Sequence, residues 1–394
     1  MDPLAPKILD QFPAARRFRE SKGASLASNT MGLIPEGAAA AERACVREQQ
    51  NLGIAVWDEG GPWMATLDRY AGVIGRMVDV APDRVCPITN ITDGLWRVFS
   101  TIDFNRGNRG NRGILTTEMA FTTQTYAGHG FARYGAEVVT VPSDDQHHLV
   151  PIERLISAIR THKPAVVHLS HAAFESAYLH DAAEVSAACK EVGATFCLDA
   201  AQTGFCVPFT MAETGADVLL LQQHKWGCAG TGAAALVATE AWTSRSEPAL
   251  VGWMSHARTF NFETGPAAFG ASAWRFAGGT PDVPAKARGA AAAELLVDTV
   301  RIKRIRQRNQ VLVAQLIEGL KGIGMAPIDV TPRTGFVAVQ CSSEAEAQRI
   351  EHGLKEHNVF IDGRGARLRI GPHFYNEPED IDACLRALRA VGAA

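Results

Sequence analysis

An acid and an amine give this sequence its chemistry. Asp199 ends the apolar run Thr195-Phe196-Cys197-Leu198, and Lys225, 26 residues later, follows Val218-Leu219-Leu220-Leu221 and precedes a glycine-rich turn. If the two runs are neighbouring parallel strands, both side chains reach one crevice at the strand ends, where ligands of such sheets bind. An amine there can form a Schiff base, and a carboxylate can keep a pyridine nitrogen protonated so that the ring acts as an electron sink. Those are the two requirements of pyridoxal phosphate. Alone, Asp199 would read as a cap and Lys225 as a solvated charge; it is the pairing that makes a site. A third element fits them. Thr89-Asn90-Ile91-Thr92-Asp93-Gly94 follows a short strand and opens a helix, so its free N–H groups and the Thr92 hydroxyl, with Asp93 and Gly94 in the same turn, can cradle a phosphate dianion. A plain Thr or Asp cap accounts for the same residues.

Positioning these groups requires a layered sheet. From about residue 85 to 240, short apolar runs alternate with Ala-rich helical patterns, as in β-α units that feed a mainly parallel sheet. The spacing predicts seven strands: Val85–Thr89, Gly113–Thr117, Glu137–Val141, Ala165–Leu169, Thr195–Leu198, Val218–Leu221 and Ala233–Ala238. The uninterrupted apolar run Val218–Leu221 is expected of a strand covered on both faces. A long helix follows Pro284 towards Leu320 and links this α/β lobe to a smaller α+β unit. That unit reads as strand (Gly335–Gln340), helix (Ser343–His357), strands (Val359–Asp362, Arg367–Ile370) and helix (Pro378–Val391). The organisation expected is an N-terminal arm (1–20), a large domain (21–280) and a small C-terminal domain with its linking helix (281–394). The Asn-Arg-Gly repeat of Asn105–Gly113 reads as an exposed turn.

Composition narrows the partners. The chain has 394 residues, 46% of them apolar, enough to bury a large core in two domains. Its 39 Lys+Arg against 42 Asp+Glu give a net charge of −3, which provides no general attraction for nucleic acid or an anionic membrane. No apolar run of about 18 residues occurs, and the start of the chain lacks the apolar centre of a signal peptide, so a cytoplasmic protein is expected. The eight cysteines are scattered without C-x-x-C spacing and read as buried thiols. His168 and His171, three apart on a strand, face opposite sides, so no metal site with His180 is expected.

Leu198-Asp199-Ala200-Ala201-Gln202, Gly215-Ala216-Asp217-Val218 and Gln222-Gln223-His224-Lys225-Trp226-Gly227, in that order and spacing, resemble the active-site signature of class V aminotransferase-like enzymes of pyridoxal-phosphate fold type I. The resemblance covers nearly the whole chain. It implies that Lys225 carries the Schiff base, Asp199 pairs with the pyridine nitrogen and Gln202 bonds the ring's phenolic oxygen. Gln222 and His224 would help fix the phosphate or the ring, and Phe121 would lie over the ring. Within the class, Asn29-Thr30-Met31-Gly32-Leu33-Ile34-Pro35, the placing of Trp57 and Pro62-Trp63, and the stretches Val251-Gly252-Trp253-Met254-Ser255-His256 and Gly279-Thr280-Pro281 are similar to kynureninases. This resemblance implies a homodimer with shared sites, Thr280 reaching the partner's phosphate. It also implies an amino-acid substrate bound by Thr30, Trp57, Trp253 and an arginine of Arg367-Leu368-Arg369-Ile370-Gly371-Pro372. Guanidinium grips a carboxylate with two prongs. Arg367 and Arg369 share a strand face, so either can serve; Arg369, immediately before Ile-Gly-Pro, is the choice.

Four positions depart from kynureninases. Their His three residues after the Asp and Tyr before the Lys are Gln202 and His224 here, as in desulfurases and epimerases of the class, while Trp57 stands where family members carry a substrate-facing His and Gln124 where they carry an acidic residue. A desulfurase, however, needs a nucleophilic Cys on a mobile loop, and Cys341, next to an apolar strand, reads as structural. The expected activity is therefore pyridoxal-phosphate-dependent and acts on an α-amino acid through an external aldimine. Kynureninase-like hydrolase or lyase cleavage at the β-carbon side chain ranks first. A class V aminotransferase, racemase, epimerase or C–S lyase is the alternative.

Overall fold

The computed structural model describes residues 6–58, 60–105, 111–144 and 149–393. Residues 106–110 of the Asn-Arg-Gly repeat fall outside them. In chain order the strands are β1 (Ala24–Ser25), β2 (Val85–Ile88), β3 (Gly113–Thr117), β4 (Glu137–Val141), β5 (Val166–Ser170), β6 (Thr195–Asp199), β7 (Val218–Gln222), β8 (Ala234–Ala238), β9 (Val337–Gln340), β10 (Val359–Phe360), β11 (Asp362–Arg364) and β12 (Arg367–Ile370). The seven expected strands, β2 to β8, form one sheet in the order β2-β8-β7-β6-β5-β3-β4. It is a mainly parallel α/β sheet in which β8 alone runs antiparallel, between β2 and β7. The carboxyl ends of β2, β3, β5, β6 and β7 therefore lie on one edge.

Alternation explains why the interiors of β6 and β7 are apolar. Phe196 and Leu198 of β6, with Leu219 and Leu221 of β7, enter the core on one face of the sheet. Cys197, Val218 and Leu220 enter the core on the other. A polar residue inside either strand would be buried on one side or the other. It is tolerated at the last position, where Asp199 emerges.

A second lobe is built on the antiparallel sheet β11-β12-β9. Its core joins Leu312, Leu316, Val339, Ile350, Leu368 and Leu388, and it also takes in Ala24 and Leu26 from the start of the chain. Those residues arrive there because β1 pairs in parallel with β10, Ala24 opposite Val359. The expected strand Val359–Asp362 is consequently two strands: β10 pairs with β1, and β11 turns to pair with β12. The linking helix is also interrupted. It runs over Val283–Glu294, widens to a π-helical stretch at Leu295–Val300, and restarts at Ile302–Gly322 after Arg301, which adopts φ 73°. Ala290, Ala292 and Ala293 of its first part belong to the large core with β6 and β7, their small side chains allowing close helix approach. Among the described residues, no helix is long and apolar enough to cross a membrane.

Candidate active site

The strand ends enclose a cavity of about 230 Å³, lined by residues from both lobes. Lys225, three residues beyond β7, lines it together with Asp199 at the end of β6. Burial pushes the lysine amine down to about 8, with Asp199 opposing and Arg369 reinforcing the shift. Burial also raises the Asp199 carboxyl, against the Ala201 N–H, Lys225 and Gln124. The Lys225 Nζ lies 5.7 Å from the centroid of the Phe121 ring, and that ring meets Phe174 edge-on at 5.1 Å.

One end of the cavity suits a phosphate. The helix Ile91–Phe99 begins there, capped by Asn90, whose side chain accepts from the Asp93 N–H. The Thr92 and Thr123 hydroxyls both line the wall, 3.5 Å apart. Gln222 accepts from the Ile91 N–H at 3.4 Å and donates to His224 Nδ1 at 2.5 Å. Burial, followed by Lys225, holds His224 down at about 4, so its ring is neutral near pH 7. With Nδ1 accepting, the proton of that neutral ring is assigned to Nε2, a donor suited to an anion. Behind this wall the buried ammonium of Lys286 donates to the carbonyls of Ile88 (2.6 Å) and Gly232 (2.5 Å), tying the end of β2 to the turn that follows Lys225.

A second part of the wall suits a carboxylate. Arg369 on β12 is buried and lines the cavity. Its Nε donates to Asp362 Oδ2 at 2.8 Å, its Nη2 to Asp362 and to the Thr30 hydroxyl, and its Nη1 to the Phe174 carbonyl at 2.9 Å. The Phe174 ring covers the guanidinium at 4.2 Å. Arg367, on the same strand face, instead pairs with Glu175 and does not line the cavity. Arg364 stands at the rim, half-exposed, 3.1 Å from Asp362.

The structure thus brings Lys225, Asp199, His224, Gln222, Thr92, Phe121, Thr30 and Arg369 to one cavity. It does not bring the remaining expected residues there. Gln202 is turned into the protein, donating to the Asn29 carbonyl at 2.8 Å and accepting from Trp226 Nε1 at 3.0 Å. The fully buried indole N–H needs an acceptor, and Gln202 supplies it. Asp93 is held by the Thr89 N–H and Arg97, and a Cβ at Gly94 would come within 2.7 Å of Ile88 and Leu220, so both serve the helix start rather than the wall. Trp57, Trp253 and Thr280 are grouped elsewhere. Trp253 Nε1 donates to the Thr280 hydroxyl at 3.2 Å, and Trp57 packs edge-on against Trp253 at 5.9 Å beside the exposed Phe260 and Phe262.

Several wall residues were not among the expected site residues. Asn29, Thr123, Phe174 and Arg364 line the cavity, and Asp362 supports it. Of these, Asp362 and Arg364 were readable as same-face residues of a strand entering the Arg367–Ile370 hairpin. Asn29 Oδ1 is buried without a hydrogen-bond partner, although its residue faces the cavity. That oxygen lies against Gly371, and the fit to a phosphorylated pyridine aldehyde rests instead on an amine, an acid and a helix N-terminus with two threonine hydroxyls on one cavity wall.

Comparison with known proteins agrees. An uncharacterized aminotransferase YcbU of Bacillus subtilis (strain 168) is 23% identical over 328 residues, covering 82% of this chain and 84% of that protein. Kynureninase of Pseudomonas fluorescens is 27% identical over 260 residues, covering 64% of this chain and 60% of that enzyme. The apo structure of cysteine desulfurase from Thermococcus onnurineus NA1 shares the fold with a TM-score of 0.84 at 16% identity, covering 100% of both chains. The profile of the family Aminotransferase class-V matches residues 88–386, and the cavity residues fit its cofactor, pyridoxal phosphate. With more than half its length matched and its strand ends assembled around Lys225 and Asp199, the chain belongs to the class-V aminotransferase family.

Proposed function

We propose that this pyridoxal-phosphate enzyme is a kynureninase-like hydrolase or lyase that cleaves the side chain of an α-amino acid at its β-carbon. The observation that carries the reading is the joining of Lys225, Asp199 and Arg369 in one cavity with Phe121 on its wall. When bound, the cofactor supplies an electron sink for charge that develops at the substrate's Cα. Arg369, oriented by Asp362 and Thr30, receives the substrate carboxylate. The amine of Lys225, whose charged form burial disfavours, takes the proton from Cα. With the cofactor bound, Asp199 would hold the proton of its ring nitrogen by charge pairing, and neutral His224 would offer its Nε2 proton to the phosphate or the ring. Phe121 and Phe174 exclude water from one side of the cavity. Cleavage of the Cβ–Cγ bond beside a ketone adds the hydroxyl of water to Cγ and a proton to Cβ.

A persulfide-forming desulfurase fits less well. All eight cysteines are buried, and burial raises the Cys341 thiol, whereas a reactive thiol is exposed and readily ionised. Transamination or racemisation is favoured by His224, which replaces the tyrosine of kynureninases, and is the second reading. Incubation with kynurenine or 3-hydroxykynurenine is expected to release an anthranilate and alanine. Accumulation of the pyridoxamine form with an amino donor, and no anthranilate, would establish the second reading instead.

The same reading makes the enzyme a homodimer with shared sites. Ile54 is 81% and Phe262 69% exposed, and the latter lies in the aromatic group around Trp57, Trp253 and Thr280, which stands apart from the chain's own cavity. Contiguous exposed apolar side chains of this kind mark an interaction surface. Mixing Lys225→Ala protomers with Thr280→Ala protomers is expected to restore activity that neither variant has alone. Mixed samples no more active than the sum of the two would sink the shared-site arrangement.

A further inference from the structure

The residue that fixes the acid comes from the same short helix that supplies the ring-covering phenylalanine. Phe121 caps the helix Thr122–Phe131, Thr123 lines the cavity, and Gln124 is buried one residue further on. The Gln124 amide is constrained at both ends. Its Nε2 donates one proton to Asp199 Oδ2 at 2.9 Å and the other to Ser170 Oγ at 2.6 Å, while its Oε1 accepts from the Thr116 hydroxyl at 3.4 Å. The reverse orientation would set a carbonyl oxygen against a carboxylate, so the amide nitrogen belongs on the acid's side. The second carboxylate oxygen, Oδ1, accepts from the Ala201 N–H at 2.7 Å. Each oxygen of Asp199 thus has one protein donor and keeps lone pairs for a partner in the cavity. Ser170 is opposite Asp199 in the β5–β6 register, so the three groups are held by two paired strands and a helix start.

We propose that Gln124 is the positioning residue of Asp199: a neutral amide that orients the carboxylate towards the cofactor's ring nitrogen and cannot compete with it for the proton. An aspartate or glutamate at this place would put two acids within hydrogen-bonding distance, and such pairs share a proton. A side chain without donors would leave Oδ2 buried and undersupplied. Either change weakens the hold of Asp199 on a protonated ring. The inference rests on the cofactor, and it holds whichever bond of the substrate is broken.

The test uses holoenzyme loaded with cofactor labelled with 15N at the ring nitrogen, in wild type, Gln124→Met and Gln124→Glu. Gln124→Met matches the length and shape of the side chain without its donors. It is expected to raise the Kd for pyridoxal phosphate about 10- to 100-fold, the range of one hydrogen bond to a charged group. Its ring-nitrogen 15N signal is expected to lose the protonated shift at lower pH than wild type. Gln124→Glu is expected to add a titration to that signal in the neutral range, where wild type is flat. Ser170→Ala, which removes the second acceptor of the amide nitrogen and leaves its bonds to Asp199 and Thr116, should move the signal in the same direction as Gln124→Met and by less. If every variant that folds keeps the wild-type 15N titration and binds the cofactor within twofold, Gln124 is a packing residue and the proposal is wrong. None of these outcomes changes which product forms from kynurenine, so failure here is distinct from failure of the β-cleavage reading.

Discussion

Lys225→Ala is expected to lower turnover on any amino-acid substrate by at least about 10³-fold and to abolish borohydride trapping of pyridoxal phosphate on the chain. The loss is larger than for any other wall residue because, in the proposed reaction, this amine both captures the cofactor and moves the Cα proton. Its pH dependence can be checked separately. Capture needs the free amine, and burial has brought it from 10.5 down to about 8. The rate of capture by cofactor-free protein should therefore climb with pH to about 8 and level off there. An exposed lysine would keep gaining towards 10.5. Between these two values the unfolded chain holds a proton that the folded chain has released, so this group makes the cofactor-free fold more stable as pH rises across that window. Lys286, brought to about 8 by its own burial, acts in the same direction. Lys225→Ala should accordingly reduce the rise of the urea midpoint between pH 8 and 10 without removing it. Retained borohydride labelling in the variant would place the covalent bond elsewhere and overturn the site.

Arg369→Ala is expected to act on both stability and binding. Asp362 is buried, and two nitrogens of Arg369 bond its Oδ2. Removing the guanidinium leaves that carboxylate with the half-exposed Arg364. Breaking one side of a buried pair costs about 3–5 kcal/mol. Loss of a charged, hydrogen-bonded grip on substrate, about 2–3 kcal/mol, lowers kcat/KM by about 30- to 150-fold. The two effects can be separated. Arg369→Ala combined with Asp362→Ala should recover part of the stability, because no acid is then stranded, and none of the substrate affinity. Wild-type KM in a folded Arg369→Ala variant would show that the carboxylate is received elsewhere, with Arg364 the adjacent cation.

How much was readable without coordinates depended on how local the cause was. The seven strands of the large sheet are legible because each is a short apolar run bounded by turns, and β6 and β7 announce their two covered faces by having no polar interior residue. Asp199 and Lys225 are legible because strand-end position follows directly from those runs. The split of Val359–Asp362 is not, since it depends on a partner strand at residues 24–25. The break at Arg301 carries neither Pro nor Gly to mark it. Gln202 shows the same limit. The resemblance implies a bond from it to the ring's phenolic oxygen, whereas in the structure its oxygen accepts from the buried indole of Trp226, 24 positions away. Gln124 could be seen to differ from an acid, yet its bond to a residue 75 positions on could not.

The segment that brings Thr30 to the carboxylate part of the cavity wall has a consequence for biosynthesis. Ser28 meets Tyr375 at 2.9 Å across 347 positions, the Gly32 N–H bonds the His224 carbonyl, and Thr30 touches Arg369. A ribosome adding about 5–20 residues per second releases residues 28–32 tens of seconds before their last partners. Through that interval the nascent polypeptide can stack its large sheet and present Lys225, but it has no Arg369 and no seat for its own early segment. If Lys225 captures the vitamin and Arg369 receives the substrate, capture during translation can precede any ability to select an amino acid.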